Sequence, residues 1–217
     1  MRPSFPAFPA SPASRSTRPR CPNLWLVIAT AGFLSSCAPD SVHPLATPAD
    51  TSLDERLRGA WMIANFPQDS VQYSRVDVGS AQGSIMVVRD SLFYEELALR
   101  FVHLGGRWFV DAQPESLKYY RPDDEDPARI RREKKQHFLM RLEIRSDTIE
   151  AHGFEGGNLG EFRRQHPGEL ALKEKSSYYT TSYTLTDRTP ELRRFVARIA
   201  DVDSMFGDGG LVFVRPH

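Results

Sequence analysis

The sequence predicts a mainly β fold: an antiparallel, barrel-like sheet with one C-terminal helix packed on it, or else another antiparallel barrel or sandwich carrying one helix. Three observations lead there. Leu97, Leu99 and Phe101 alternate with Ala98 and Arg100, the two-residue period of a half-buried strand. Gly105-Gly106 follows and Arg107 to Ala112 resumes an aromatic, apolar run, so the chain reverses through a two-residue turn that needs positive φ. Leu192, Phe195, Val196 and Ile199 fall at i, i+3, i+4 and i+7, with Thr189 as cap and Pro190 in the first turn.

The other elements follow in chain order. Leu57 to Gly59 reads as the end of a helical turn, then Trp61 to Asn65 as a strand stopping near Pro67. Residues 68–84 are polar and carry no clear period. Ile85 to Val88 is a short apolar strand rich in β-branched residues. Residues 113–137 hold Pro114, Pro122 and Pro127, an acidic run Asp123 to Asp126 and a basic run Arg129 to Lys135; neighbouring blocks of opposite charge read as a solvated loop with a short helix. Phe138, Met140, Leu142 and Ile144 alternate with Leu139, Arg141, Glu143 and Arg145, Ser146-Asp147 turns the chain, and Thr148 to Phe154 returns it. Five glycines between Gly153 and Gly168 predict a broad loop. Leu170 to Lys173, Ser176 to Thr186 and, after the helix, Leu211 to Val214 read as strands.

Ahead of this body stands an apolar run, Leu24 to Cys37, preceded by Arg2, Arg15, Arg18 and Arg20 and by no acidic residue. That is the charge order of a secretory signal, and roughly eleven apolar residues fall short of the ~20 a membrane span needs. Leu34-Ser35-Ser36-Cys37 resembles the lipobox of bacterial lipoproteins. The resemblance implies cleavage before Cys37 and acylation of its thiol and amino group, so that residues 1–36 are removed. The alternative is an ordinary cysteine after a conventional signal peptide, or one at the end of a buried helix. Ala38, rather than aspartate, after the cysteine implies an outer-membrane destination on the periplasmic side. Residues 37–52, rich in proline, alanine, serine and threonine, are expected to form a flexible linker, and residues 53–217 a single β-rich domain.

Loss of the four leader arginines takes 28 basic residues to 24 against 28 acidic ones, a net charge of about −4. A mildly acidic body disfavours nucleic acid, which needs a clustered basic face. Cys21 leaves with the leader, so with Cys37 acylated no disulfide is available and the fold rests on core burial.

Short antiparallel strands, one helix and a last strand also resemble the lipocalin and wider calycin architecture. Gly59-Ala60-Trp61 is similar to that family's glycine-any-tryptophan signature, and Arg188-Thr189-Pro190-Glu191 stands where it places an arginine ahead of its helix. The resemblance implies that Trp61 closes the barrel floor with Arg188 across its face, a cation on an indole. Trp108, Phe109, Tyr178 and Tyr183 are then candidates to line a ligand cavity, or equally to fill a core.

Catalytic and metal patterns are thin. His103, His137, His152 and His166 show no metal-ligand spacing and no cysteine partner, so no metal or cofactor is expected. The expected partners are the membrane, through the anchor, and a small apolar ligand or an envelope component bound without catalysis. A structural subunit binding another envelope protein through an outer strand or the charged 121–135 loop is the alternative. A hydrolase comes third and requires Glu143 and Glu150 to meet His137 or His152 in one cleft.

Overall fold

The computed structural model describes residues 39–64, 73–80, 84–89, 93–119, 136–176, 181–208 and 210–216. Among them run eleven strands: β1 (Asp40–Ser41), β2 (Gly59–Ile63), β3 (Tyr73–Val78), β4 (Ser84–Arg89), β5 (Phe93–Leu104), β6 (Arg107–Tyr119), β7 (His137–Ile144), β8 (Thr148–Gly153), β9 (Leu172–Ser176), β10 (Thr181–Leu185) and β11 (Leu211–Val214). Helix α1 (Gly156–Gln165) follows β8 and helix α2 (Thr189–Ile199) follows β10. The mainly β expectation therefore holds, with two helices of ten residues or more where one was expected.

All strands belong to one sheet in the order β6-β5-β4-β3-β2-β11-β8-β7-β1-β10-β9, with β6 also paired to β7. The sheet is mixed, because β1 and β10 run parallel while the other pairs are antiparallel. Strand β7 is its branch point. One edge faces β6; along the other, Met140 to Ile144 pair with β8, and His137 and Phe138 pair with β1. Beyond β10 the sheet ends at β9, so the eleven strands do not close on themselves.

Strand alternation separates two apolar clusters. Trp61, Val76, Val78, Leu97, Leu99, Val110, Met140, Leu142, Ile149 and Phe213 meet on one face, with Leu57 beneath them. On the opposite face Val102, Phe109 and Leu139 meet Leu159 of α1 and Leu192, Phe195, Val196 and Ile199 of α2. The helical stripe read from sequence is thus the face that docks on sheet. No helix among the described residues is long and apolar enough to cross a membrane.

Three local expectations change. Gly153 to Gly168 is not all loop: α1 occupies Gly156–Gln165, started by the Glu155 side chain accepting from Gly157 N–H at 3.3 Å. Packing outweighs the low helix propensity of its glycines, since Leu159 is buried and Gly160 is seated under Tyr183, whose ring would lie 3.1 Å from an added Cβ. The vague stretch contains β3, which inserts Val76 and Val78 into the first cluster. Strand β6 runs on through Pro114 to Tyr119 because the pairing with β5 shifts register at Glu96/Leu97, the kind of irregularity at which a sheet tolerates proline. The charged run after it lies outside the described residues.

The largest difference concerns the expected linker. From residue 39 onward the chain is docked. Leu45 and Ala46 are buried in the second cluster, and β1 sits between β7 and β10. Composition misses this because a single leucine in a proline-rich stretch supplies the anchor; its burial contributes about 1.5–3 kcal/mol.

Candidate functional site

A buried polar cluster of the described residues is built around this docked segment. Asp111, on β6, points to the helix-covered face beside Phe109 and is fully buried. Its Oδ2 accepts from Leu45 N–H at 2.8 Å and Ala46 N–H at 3.3 Å. Its Oδ1 lies 2.7 Å from Nδ1 of His137, itself buried on β7. One carboxylate thus satisfies two backbone donors that have left regular structure, as buried N–H groups require.

Further bonds hold the same segment. Val42 N–H donates to Leu185 O at 3.0 Å, Thr189 Oγ1 to Pro44 O at 2.7 Å, Arg193 to Leu45 O at 3.3 Å and Ser52 N–H to Phe101 O at 3.1 Å. Arg193 also pairs with Asp50 at 3.2 Å, and the Gln136 amide bonds Asp40. Thr189, expected to cap α2, spends its hydroxyl on Pro44 instead; the N-cap is Arg188, without a side-chain cap bond.

An aspartate orienting a histidine is also the support of a serine nucleophile, and Ser41 stands opposite His137 in the β1–β7 register. Yet Ser41 is fully buried and its Oγ donates to His43 O at 2.7 Å. A hydroxyl with that partner and no solvent contact cannot present itself to a substrate, so the arrangement acts as a clamp.

A second cluster lies on the same sheet face, where β7 and β8 pair Glu143 directly with Glu150. The carboxylates and His152 bring ligand atoms within 4.8 Å of one another. His152 Nδ1 is 3.1 Å from Gly207 O, and Nε2 is buried without a hydrogen bond, 3.7 Å from Glu150. Gly210 makes room for this ring, since an added Cβ would fall 3.1 Å from it. The convergence that a hydrolase would need is therefore present for Glu143, Glu150 and His152, while His137 is committed to Asp111. Two guanidinium groups already hold the carboxylates, however: Arg145 reaches Glu150 at 3.1 Å, and the buried Arg141 reaches Glu143 at 3.3 Å. Each carboxylate thus already faces a cation, which lowers the cluster's attraction for a metal ion.

Arg141 was not singled out from sequence, although a lone arginine on an otherwise buried strand is a signal. It joins β7 to the end of α2, donating to Ala200 O at 3.2 Å and Asp203 at 2.8 Å, with its guanidinium 4.3 Å from the Phe206 ring centre. Donation to the last helical carbonyls is where a cation is favoured.

Trp61 is wholly buried and donates its Nε1–H to Leu57 O at 2.7 Å. The cation over its ring is Arg215, 4.3 Å from the centroid, and not Arg188. Strand β11 lies beside β2, which carries Arg215 to the indole, whereas Arg188 precedes a helix that serves the other cluster and is exposed.

The aromatic cavity expected from sequence is also revised. The first cluster lines a partly open cavity of about 30 Å³ whose apolar walls include Leu57, Trp61, Leu99, Phe101, Met140 and Phe213. Trp108, Phe109 and Tyr183 are not among them: Trp108 packs against that cluster beside His103, while Phe109 and Tyr183 belong to the second. Tyr178 lies outside the described residues. No family model matches this chain, no curated protein matches it significantly, and no solved structure matches its fold at that level.

Proposed function

We propose that this is a lipid-anchored, extracytoplasmic envelope protein, acylated at Cys37 and bound to the outer membrane on its periplasmic side, whose β domain is a non-enzymatic module that binds another envelope component through its outer surface. The lipobox Leu34 to Cys37 supports the anchor. The eight strands β2 to β8 and β11 support a barrel-like reading, since each pairs with two others of the set once β6–β7 is included.

The observation that favours surface binding over a small apolar ligand is the cavity. At about 30 Å³ it has room for a water molecule or two by a measure in which one needs roughly 10–15 Å³, and ligand pockets are far larger and carry a few polar groups. Native mass spectrometry of the anchor-free domain purified from its host tests this. Stoichiometric bound lipid would reinstate the ligand reading; an empty domain whose membrane cross-link to a second protein is lost on deleting residues 121–135 supports the module and its charged loop. Mass spectrometry of the mature amino terminus tests acylation, and a free thiol at Cys37 would refute it.

A further inference from the structure

We propose that the anchored protein stands flush on the bilayer, with the surface around Val42 and the β9 lysines against lipid headgroups, rather than on a tether. The inference rests on the acylation of Cys37 proposed above. Cys37 precedes β1 by three residues, and an extended chain covers at most about 3.6 Å per residue, so the acylated Cα lies within about 11 Å of that of Asp40. The headgroup layer of one leaflet is itself roughly 5–8 Å thick.

Nothing downstream supplies slack. Strand β1 is paired on both sides, Val42 N–H is bonded to Leu185 O, and the Asp111 carboxylate holds Leu45 and Ala46. The chain is thus held to the sheet from Asp40 onward, three residues after the attachment point.

The adjoining surface suits a lipid interface. Val42 is 49 % exposed, one of three large hydrophobic residues so exposed among those described. Thr184 faces Asp40 across the β1–β10 ladder and Lys173 faces Thr184 across the next, which sets Lys173 about 10 Å from Asp40. Lys173 and Lys175 are both exposed, and ammonium groups at that height attract anionic headgroups.

The processed protein carries no free thiol if Cys21 is removed and Cys37 is acylated, so an introduced cysteine can be labelled alone. Bimane is placed on Val42→Cys and, for comparison, on Met62→Cys, which is equally exposed on β2. Each protein is reconstituted into vesicles of phosphatidylethanolamine and phosphatidylglycerol that contain headgroup-nitroxide lipid. We expect several-fold stronger quenching at 42 than at 62. A fifteen-residue glycine-serine insertion between Ala38 and Pro39 should lower quenching at 42 to the level of 62, and the pair Lys173→Glu with Lys175→Glu should reduce it partly. Equal, weak quenching at both positions in protein that floats with the vesicles overturns the flush orientation, and unchanged quenching in the lysine variant removes the lysines from the contact. Protein that fails to float overturns the anchor itself, which separates that failure from this one.

Discussion

Replacing Asp111 by alanine tests the clamp most directly. The change removes the acceptor of two backbone N–H groups at 2.8 and 3.3 Å and of the His137 ring at 2.7 Å, all buried. A buried donor left without a partner costs about 1–3 kcal/mol, and the change strands the two backbone N–H groups together with the ring nitrogen of His137. The 3.3 Å bond is the weakest of the three, and water can enter the space vacated, so a total near 4 kcal/mol is expected. Against a typical stability of roughly 5–15 kcal/mol the domain stays folded, with its melting temperature lowered by about 10 °C, since each kcal/mol shifts a domain of this size by about 2–4 °C. Asp111→Asn keeps one acceptor oxygen and should lose about half as much. Urea unfolding gives the energies, and amide hydrogen exchange locates them: Leu45 and Ala46 should exchange faster than the core strands in the alanine variant. A loss under 1 kcal/mol, with both amides still protected, would refute the claim that this carboxylate holds the segment.

Other substitutions probe separate parts of the argument. Arg215→Ala should cost about 0.5–1 kcal/mol through the lost cation on Trp61, and Arg188→Ala should change urea stability by less than 0.5 kcal/mol; the reverse ranking would restore the arginine expected from sequence. Gly105 has φ +57° and an added Cβ would fall 2.3 Å from Ala197 O, whereas Gly106 has φ +83° and open space around it. Gly106→Ala should therefore cost about 1–2 kcal/mol from left-handed strain alone, and Gly105→Ala clearly more because it also pushes α2 from the hairpin, as thermal melts of the two variants will show. A hydrogen bond from the Arg56 guanidinium holds the Asp54 carboxyl below its usual range. Its contribution is present above an unfolded value near 3.9 and is lost as pH falls through the lower folded value. Asp54→Asn should flatten the fall in urea midpoint between about pH 5 and 2 relative to the unaltered protein.

The strands read most clearly were those whose alternation comes from a single buried face. Leu97, Leu99 and Phe101 all enter the first cluster, and β7 and β8 likewise send Met140, Leu142, Ile149 and Ala151 there. Strand β3 escaped because only Val76 and Val78 mark it within a polar stretch, and α1 because its glycines argue locally for a loop while Leu159 argues through a contact far away in the chain. The polar clusters were only partly legible. Glu143, Glu150 and His152 were noted as candidates, yet their convergence depends on the β7–β8 register, and the arginines that neutralise them come from the same strand and its turn. Asp111 gave no sign, since one acidic residue in an aromatic run does not announce the backbone donors, 65 and 66 residues away, that it serves.

By itself the sequence determined the β class, the glycine turn at 105–106 and the docking stripe of α2, together with the leader pattern on which the anchor proposal rests. These depend on periodicity, backbone freedom and charge order within a few residues, which the order of amino acids states outright. Tertiary structure alone decided that the proline-rich segment after Cys37 is bound to the sheet from residue 39 onward, that Arg215 covers Trp61, and that Leu57, Trp61, Leu99 and Phe213 line a cavity of about 30 Å³. Each of those depends on which distant groups meet, and burial, pairing and cavity volume acquire values only when the whole chain has closed around them.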